Sequence, residues 1–199
     1  MAFNPNTRII LHLGLGSFHR AHQAVYVQKL INSGATNWVL AAGNIRPDMP
    51  EVATALQQQG YYTLETISPD DVREYERIDA IRHVIAYDPS LRELIEIGAH
   101  SATGIISFTV TEAGYYLDEY NHLALNFKDL SEDIERVRLQ QPGQTIYGAL
   151  VSILRARMAQ HGGKVTLLNC DNLRHNGERF RKGFLEFIDL LGDVELRAW

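Results

Sequence analysis

The stretch Arg8-Ile9-Ile10-Leu11-His12-Leu13-Gly14-Leu15-Gly16-Ser17-Phe18 constrains the chain more than any other, because an apolar run enters two glycines one residue apart. Beyond them Phe18, Ala21, Val25 and Ile31 recur at roughly helical spacing, so the segment reads as strand, tight turn, helix. Such a corner can cradle nucleotide phosphates. Gly14 permits the turn leaving the strand, and Gly16, lacking a Cβ, lets backbone N–H groups at the helix start come close to a diphosphate. Leu13, Leu15, Ser17 and Phe18 complete the candidate contact stretch. A full dinucleotide fingerprint has a third small residue where this chain has His19, so strand and helix must pack around a larger side chain. An ordinary strand-to-helix turn would leave the same two glycines.

The helix should stop at Asn32-Ser33-Gly34, and Trp38–Ala42 then reads as a second buried strand, giving a β-α-β unit with a parallel pair. Ligands of such sheets collect beyond the carboxyl ends of the strands. There the tip 43–48 offers Asp48, either as the carboxylate that accepts hydrogen bonds from an adenosine ribose or as the cap of a helix starting near Pro50. Arg46 suits a 2'-phosphate or stacking on adenine. A helix over 51–59 precedes two aromatic and β-branched runs, 61–67 and 75–81, expected as a hairpin. Asp88-Pro89 should cap a helix over 90–97, and 104–110 reads as a strand buried on both faces. That strand delivers Thr111 and Glu112 to another carboxyl end, although position alone also fits Glu112 as a surface acid. An exposed polar helix over 131–140, a long helix over 145–161, a strand over 164–169, a loop to Gly177 and a helix over 178–191 follow. Residues 193–199 read as the start of an extended segment, so the natural polypeptide is expected to continue.

The chain has 199 residues, 45% hydrophobic and 22% charged, which suits one α/β domain and excludes wholesale disorder. Its formal net charge of -5 provides no field for nucleic acid, and the dense basic group Arg179-Arg181-Lys182 falls on a helix as a solvated face. With Cys170 as the sole cysteine no internal disulfide can form, and a reducing compartment is expected. The N-terminus lacks a secretory pattern and no segment reaches membrane-spanning length, so the expectation is a cytoplasmic protein with no membrane partner. His19 and His22 are three apart but lack further ligands for a metal site. Cys170 suits a small buried hydrophobe, and Asp171 suits an acceptor of backbone N–H groups in its loop.

Three strand-end segments, Gly14–Gln23, Thr109–Tyr115 and Asn169–Gly177, together resemble the conserved segments of the polyol-specific long-chain dehydrogenases, the mannitol dehydrogenase and hexuronate reductase family. Ala42–Arg46 and Asn169–Asn172 look most like its bacterial D-arabinitol-oxidising branch. The resemblance spans the whole chain. It implies a Rossmann-like, doubly wound and mainly parallel sheet with helices on both faces over residues 1–199, binding NAD, with the 61–81 hairpin added. It also implies a polyol or ketose substrate and a helical C-terminal domain carrying the catalytic lysine in a Lys-x4-Asn-x2-His motif, which this chain does not contain. The family's proton-path acid falls on Glu112 and one of its substrate-holding asparagines on Asn172. Ala113 stands where the family usually has glycine, and Asp48-Met49 replaces the common acidic pair, so only one carboxylate remains at the ribose end.

The four lysines, Lys29, Lys128, Lys164 and Lys182, all fall away from strand carboxyl ends, so the chain alone is expected to bind nucleotide without oxidising polyols. A short-chain dehydrogenase is disfavoured because no tyrosine is followed four residues later by lysine. A methyltransferase is disfavoured by Leu13, where an acid would precede the first glycine. A non-catalytic NAD-binding sensor domain is the alternative from a different class.

Overall fold

The structure is a computed structural model that describes residues 6–199. The expectation about a secretory leader rests mainly on residues 1–5, which lie outside the described ones. Strand β1 (Arg8–Leu13) leads through the glycine turn into α1 (Ser17–Ala21) and α2 (Gln23–Asn32), and then β2 (Trp38–Gly43). Next come α3 (Pro50–Gln59), the strands β3 (Tyr62–Ile67), β4 (Arg73–Ile78) and β5 (Ile81–Ile85), then α4 (Arg92–Ala99) and β6 (Thr103–Phe108). A 3-10 turn, Glu112–Tyr115, is followed by α5 (Lys128–Arg138), α6 (Ile146–Gln160), β7 (Thr166–Asn169), α7 (Asn176–Leu191) and α8 (Val194–Ala198).

Five strands form one parallel sheet in the order β5-β2-β1-β6-β7, while β3 and β4 form a separate antiparallel pair. The order shows why β1 is apolar along its length. It is the central strand, hydrogen-bonded on both edges and covered on both faces, and Ile9, Leu11 and Leu13 are buried on one face while Ile10 lies on the other. One face carries α4, α5, α6 and α7, whose Tyr147, Phe180, Phe184 and Phe187 stack into an aromatic cluster. The opposite, smaller core gathers Leu15, Ala24, Val25, Leu40 and Leu56 with Ile78 of the hairpin. The expected doubly wound α/β architecture and its added hairpin are therefore present. No helix among the described residues is long and apolar enough to cross a membrane.

Several expectations about elements are corrected. The first helix is broken at His22 (φ -123, ψ -80), so the expected stripe divides: Val25 is buried while Phe18 and Ala21 are exposed. Ile81 does not belong to the hairpin but opens β5, a parallel neighbour of β2. The α4 helix begins at Arg92, later than expected, because Asp88 uses its carboxylate on the Ser90 backbone N–H and hydroxyl and Leu91 takes the cap position in the left-handed region. The helix expected as exposed over 131–140 starts at Lys128 and buries Leu130, Asp133, Ile134 and Val137. The closing residues are not extended. Asp193 accepts a hydrogen bond from the Leu196 N–H, caps α8 and pairs with Arg155 at 2.6 Å.

Candidate functional site

The sheet is wound outward in both directions from β1, towards β2 and β5 on one side and β6 and β7 on the other. The chain therefore leaves a crevice where the loops after β1 and β6 part, the place where doubly wound sheets hold ligands. A cleft of about 590 Å³ opens there, at the carboxyl ends of β1, β2 and β6. Leu13, Gly14, Leu15 and Gly16 form one wall, Asn44, Arg46 and Asp48 a second, and Thr109, Val110 and Thr111 a third. The remaining wall is the start of α5 with Phe127, Lys128 and Asp129. Ser17 and Phe18 stand just outside this lining, on the exposed first turn of α1, where the Phe18 ring tilts against His22 at 4.4 Å.

The two glycines differ in kind. Gly14 has φ +142, a backbone conformation that side-chain-bearing residues rarely adopt, so the turn itself requires glycine. Gly16 has φ -63 and no atom within 4 Å of where a Cβ would stand, so nothing in the protein requires glycine there. The Gly14 N–H is bonded to the Gly43 carbonyl and the Leu15 N–H to Asn44 Oδ1, at 2.8 and 2.7 Å, which locks the turn onto the end of β2. Asn44 also donates through Nδ2 to the Asp48 carbonyl at 2.5 Å, so this residue, marked beforehand only by its place at a strand end, joins both loops. No side chain caps the start of α1. Thr109 Oγ1, on the opposite wall, is buried without a hydrogen-bond partner. An open approach at Gly16 and an unsatisfied hydroxyl across from it suit a polar ligand lying along the glycine turn.

Beneath the turn two imidazoles stack at 3.7 Å, His12 from β1 and His19 from α1. His12 lies 3.6 Å below the Cβ position of Gly14, so His19 occupies the space of a third small residue by lying flat on His12. Ser107 donates to Gln23 Oε1 at 3.0 Å, leaving its oxygen to accept from His12 Nδ1 at 2.9 Å. Neither ring nitrogen of His19 has a hydrogen-bond partner. Burial, then the neighbouring His19, hold His12 well below its ordinary pKa. Burial also lowers His19 to about 4, with Arg20 adding and Gln23 partly opposing. Both rings are neutral at pH 7. The His22 side chain is exposed against Phe18.

Arg46 lines the cleft with two of its guanidinium nitrogens engaged. Nε reaches the Gln144 carbonyl at 2.9 Å and Nη2 reaches the Tyr116 hydroxyl at 3.0 Å and Asp129 Oδ2 at 3.5 Å. Asp48 is exposed on the lining and does not cap α3, whose cap position is held by Met49 in the left-handed region. Thr111 is exposed at the carboxyl end of β6. Glu112 follows it, exposed and 4.0 Å from Arg179 of α7. Asn172 is exposed in the loop after β7, so the two residues sit on neighbouring strand ends beside the cleft rather than in its lining.

Those two loops are tied together by groups whose partners the sequence did not indicate. Asp171 accepts from the Val110 N–H and the Tyr115 hydroxyl, each at 2.6 Å, and Tyr115 accepts from Asn169 Nδ2 at 3.1 Å. Asn176 donates to the Asp171 carbonyl at 2.9 Å. Burial raises the Asp171 pKa, against the lowering effect of these bonds. The expectation that Asp171 orders its own loop is met, and it orders the neighbouring loop as well. Cys170 is only half-buried rather than buried as expected, and burial together with Asp171 raises its thiol pKa, which disfavours the nucleophilic thiolate. Among the described residues no group of three metal-binding side chains occurs.

The model of the mannitol dehydrogenase Rossmann domain matches residues 8–199. The chain is 50% identical over 190 residues to a D-arabinitol 4-dehydrogenase of Klebsiella pneumoniae, covering 95% of this chain and 41% of that protein. It is 47% identical over 195 residues to a D-arabinitol 4-dehydrogenase of Ralstonia nicotianae, covering 96% and 41%. Among solved structures it resembles the Pseudomonas fluorescens mannitol 2-dehydrogenase ternary complex with NAD and D-mannitol at TM-score 0.85 and 29% identity, covering 98% of this chain and 42% of that one. The chain thus spans about two fifths of the length of these relatives.

Proposed function

Because the chain belongs to the mannitol dehydrogenase family, matched over its Rossmann domain, we propose that it is the coenzyme-binding part of an NAD-dependent polyol dehydrogenase acting on a D-arabinitol- or mannitol-type sugar alcohol. The observation that carries this reading is the open space at Gly16. The fold leaves a glycine where it does not need one, on the wall of a 590 Å³ cleft at the winding reversal of the sheet. A coenzyme diphosphate approaching the backbone there accounts for that glycine, as P. fluorescens mannitol 2-dehydrogenase, solved with NAD, supports. The unsatisfied Thr109 hydroxyl and the carboxylate of Asp48 fit the same ligand, Asp48 by accepting from adenosine ribose hydroxyls.

When bound, the nicotinamide supplies the hydride acceptor for oxidation of a secondary alcohol. The role of this chain's own residues is to bind and orient. Asn172 would donate a hydrogen bond to the substrate oxygen as negative charge develops on it, and Glu112 would pass on the proton that leaves. The ties from Asp171 to Val110 and Tyr115 would keep those two loops in register. Lys128 lines the cleft and pairs with Glu132 at 3.5 Å; the base is assigned, on the family resemblance, to the lysine of a Lys-x4-Asn-x2-His motif that this chain does not contain. A chain whose single cysteine can form no internal disulfide fits the reducing cytoplasm.

Fluorescence titration with NADH tests the reading. Gly16→Val should melt like wild type yet lose about tenfold or more in NADH affinity, because its side chain fills the approach. Asp48→Ala should lose about three- to tenfold through the ribose contact. A Gly16→Val variant that binds NADH as wild type does would remove the basis for placing a diphosphate on this turn.

A further inference from the structure

The ribose corner of the cleft carries more positive charge than the motif shows. Arg46 enters from the loop after β2 and Lys128 from the start of α5, and the unpaired N–H groups that open α5 add the positive end of an eleven-residue helix. Unopposed, these would suit a 2'-phosphate. Asp48 supplies one carboxylate, and the residue beside it is Met49. The second carboxylate comes from far along the chain. Asp129, in the first turn of α5, lines the same corner and lies 3.5 Å from Arg46 Nη2.

Resting on the coenzyme reading above, we infer that Asp129 is a specificity-determining residue that makes the cleft prefer NADH to NADPH. It does so in three ways. It offsets the Arg46 guanidinium, whose Nε and Nη2 are already committed to Gln144 and Tyr116. It balances the positive start of α5. It also adds a second carboxylate beside Asp48, against Arg46 and a Lys128 that already pairs with Glu132, so a phosphate carrying nearly two negative charges finds no net attraction there, whereas a neutral ribose hydroxyl loses nothing. Asp129 and Arg46 are both substantially exposed, so each effect is screened and the expected discrimination is modest.

The test is titration of the chain with NADH and with NADPH, for wild type, Asp129→Asn and Asp129→Glu, at low ionic strength. Wild type should favour NADH. Asp129→Asn should shift the NADPH-to-NADH affinity ratio at least about threefold towards NADPH, mostly by tightening NADPH, and Asp129→Glu should keep the wild-type ratio. An unchanged ratio in Asp129→Asn, an equal shift in both variants, or a wild-type preference for NADPH overturns the assignment. If wild type binds neither nucleotide, it is the coenzyme reading that fails, and that outcome is distinct from the others.

Discussion

The stacked pair of His12 and His19 shows how much one substitution in a motif can alter what lies beneath it. With glycine or alanine at position 19 the strand and helix would touch directly; with histidine, a neutral imidazole must be stored in the interior without a hydrogen bond. Its folded pKa of about 4 lies below the ordinary 6.5, so between these values the unfolded chain binds the proton and the folded chain does not. The stabilisation is complete above pH 6.5 and is lost as pH falls towards 4, on the order of 3 kcal/mol for a shift of that size. His12 is shifted in the same direction. Thermal melts of wild type should therefore fall more steeply between pH 6.5 and 4.5 than those of His19→Phe, which keeps a flat ring and removes the proton; parallel curves would contradict this account. That a ring had to be packed at position 19 was legible in the sequence. Its stacking partner His12, and the bond from His12 to Ser107, 95 residues further on, were not, because nothing local marks a buried polar contact made across a sheet. Asp129 and Asp133 escaped notice for the same reason, and Asn44 was marked only by its place at a strand end. Asp133 looked like one acid among several on a polar helix, yet it is buried and accepts from the Thr145 N–H at 3.1 Å as well as from the Thr145 hydroxyl.

At the scale of elements, periodicity and punctuation located most strands and helices, and their failures have physical causes. Ile81, the first residue of β5, was assigned to the hairpin because only Asp79 and Ala80 separate it from β4, and the rest of β5 went unread because Arg82 and His83 interrupt its apolar residues. α8 read as extended because Val194 and Leu196 alternate with polar residues, although the capping Asp193 was in view. The break at His22 involves neither proline nor glycine, so no local signal announced it. Packing between α4 and α6 is close enough to be tested directly. A Cβ on Gly98 would overlap Ile153 Cγ2 and approach Leu11 Cδ2 to 3.3 Å. Gly98→Ala should therefore cost about 1–3 kcal/mol through overpacking, despite its better helix propensity, read as a lower urea midpoint with unchanged slope. An unchanged or raised midpoint would show that the two helices separate at little cost.

For the molecule as a whole, two of the three strand-end loops read from the sequence, those after β1 and β6, line the cleft, and the third, after β7, lies beside it; parallel sheets leave few other places for a ligand. The sequence did not disclose the strand order, because pairing partners in a parallel sheet are separated by whole crossovers. That order has a consequence in time. β1 is synthesised before β6, so its edge towards β6 stays unpaired until roughly a hundred further residues have been made, as the pairing of Leu13 with Phe108 requires. Contacts so distant in sequence form slowly. In refolding from urea, recovery of NADH fluorescence enhancement should coincide with the slowest major phase rather than with early gain of helix, and recovery in the first phase would count against this order of events. Until that late closure the chain carries an exposed run, Ile9 to Leu13, with a free edge, and its yield in a cell should depend on how quickly translation reaches β6.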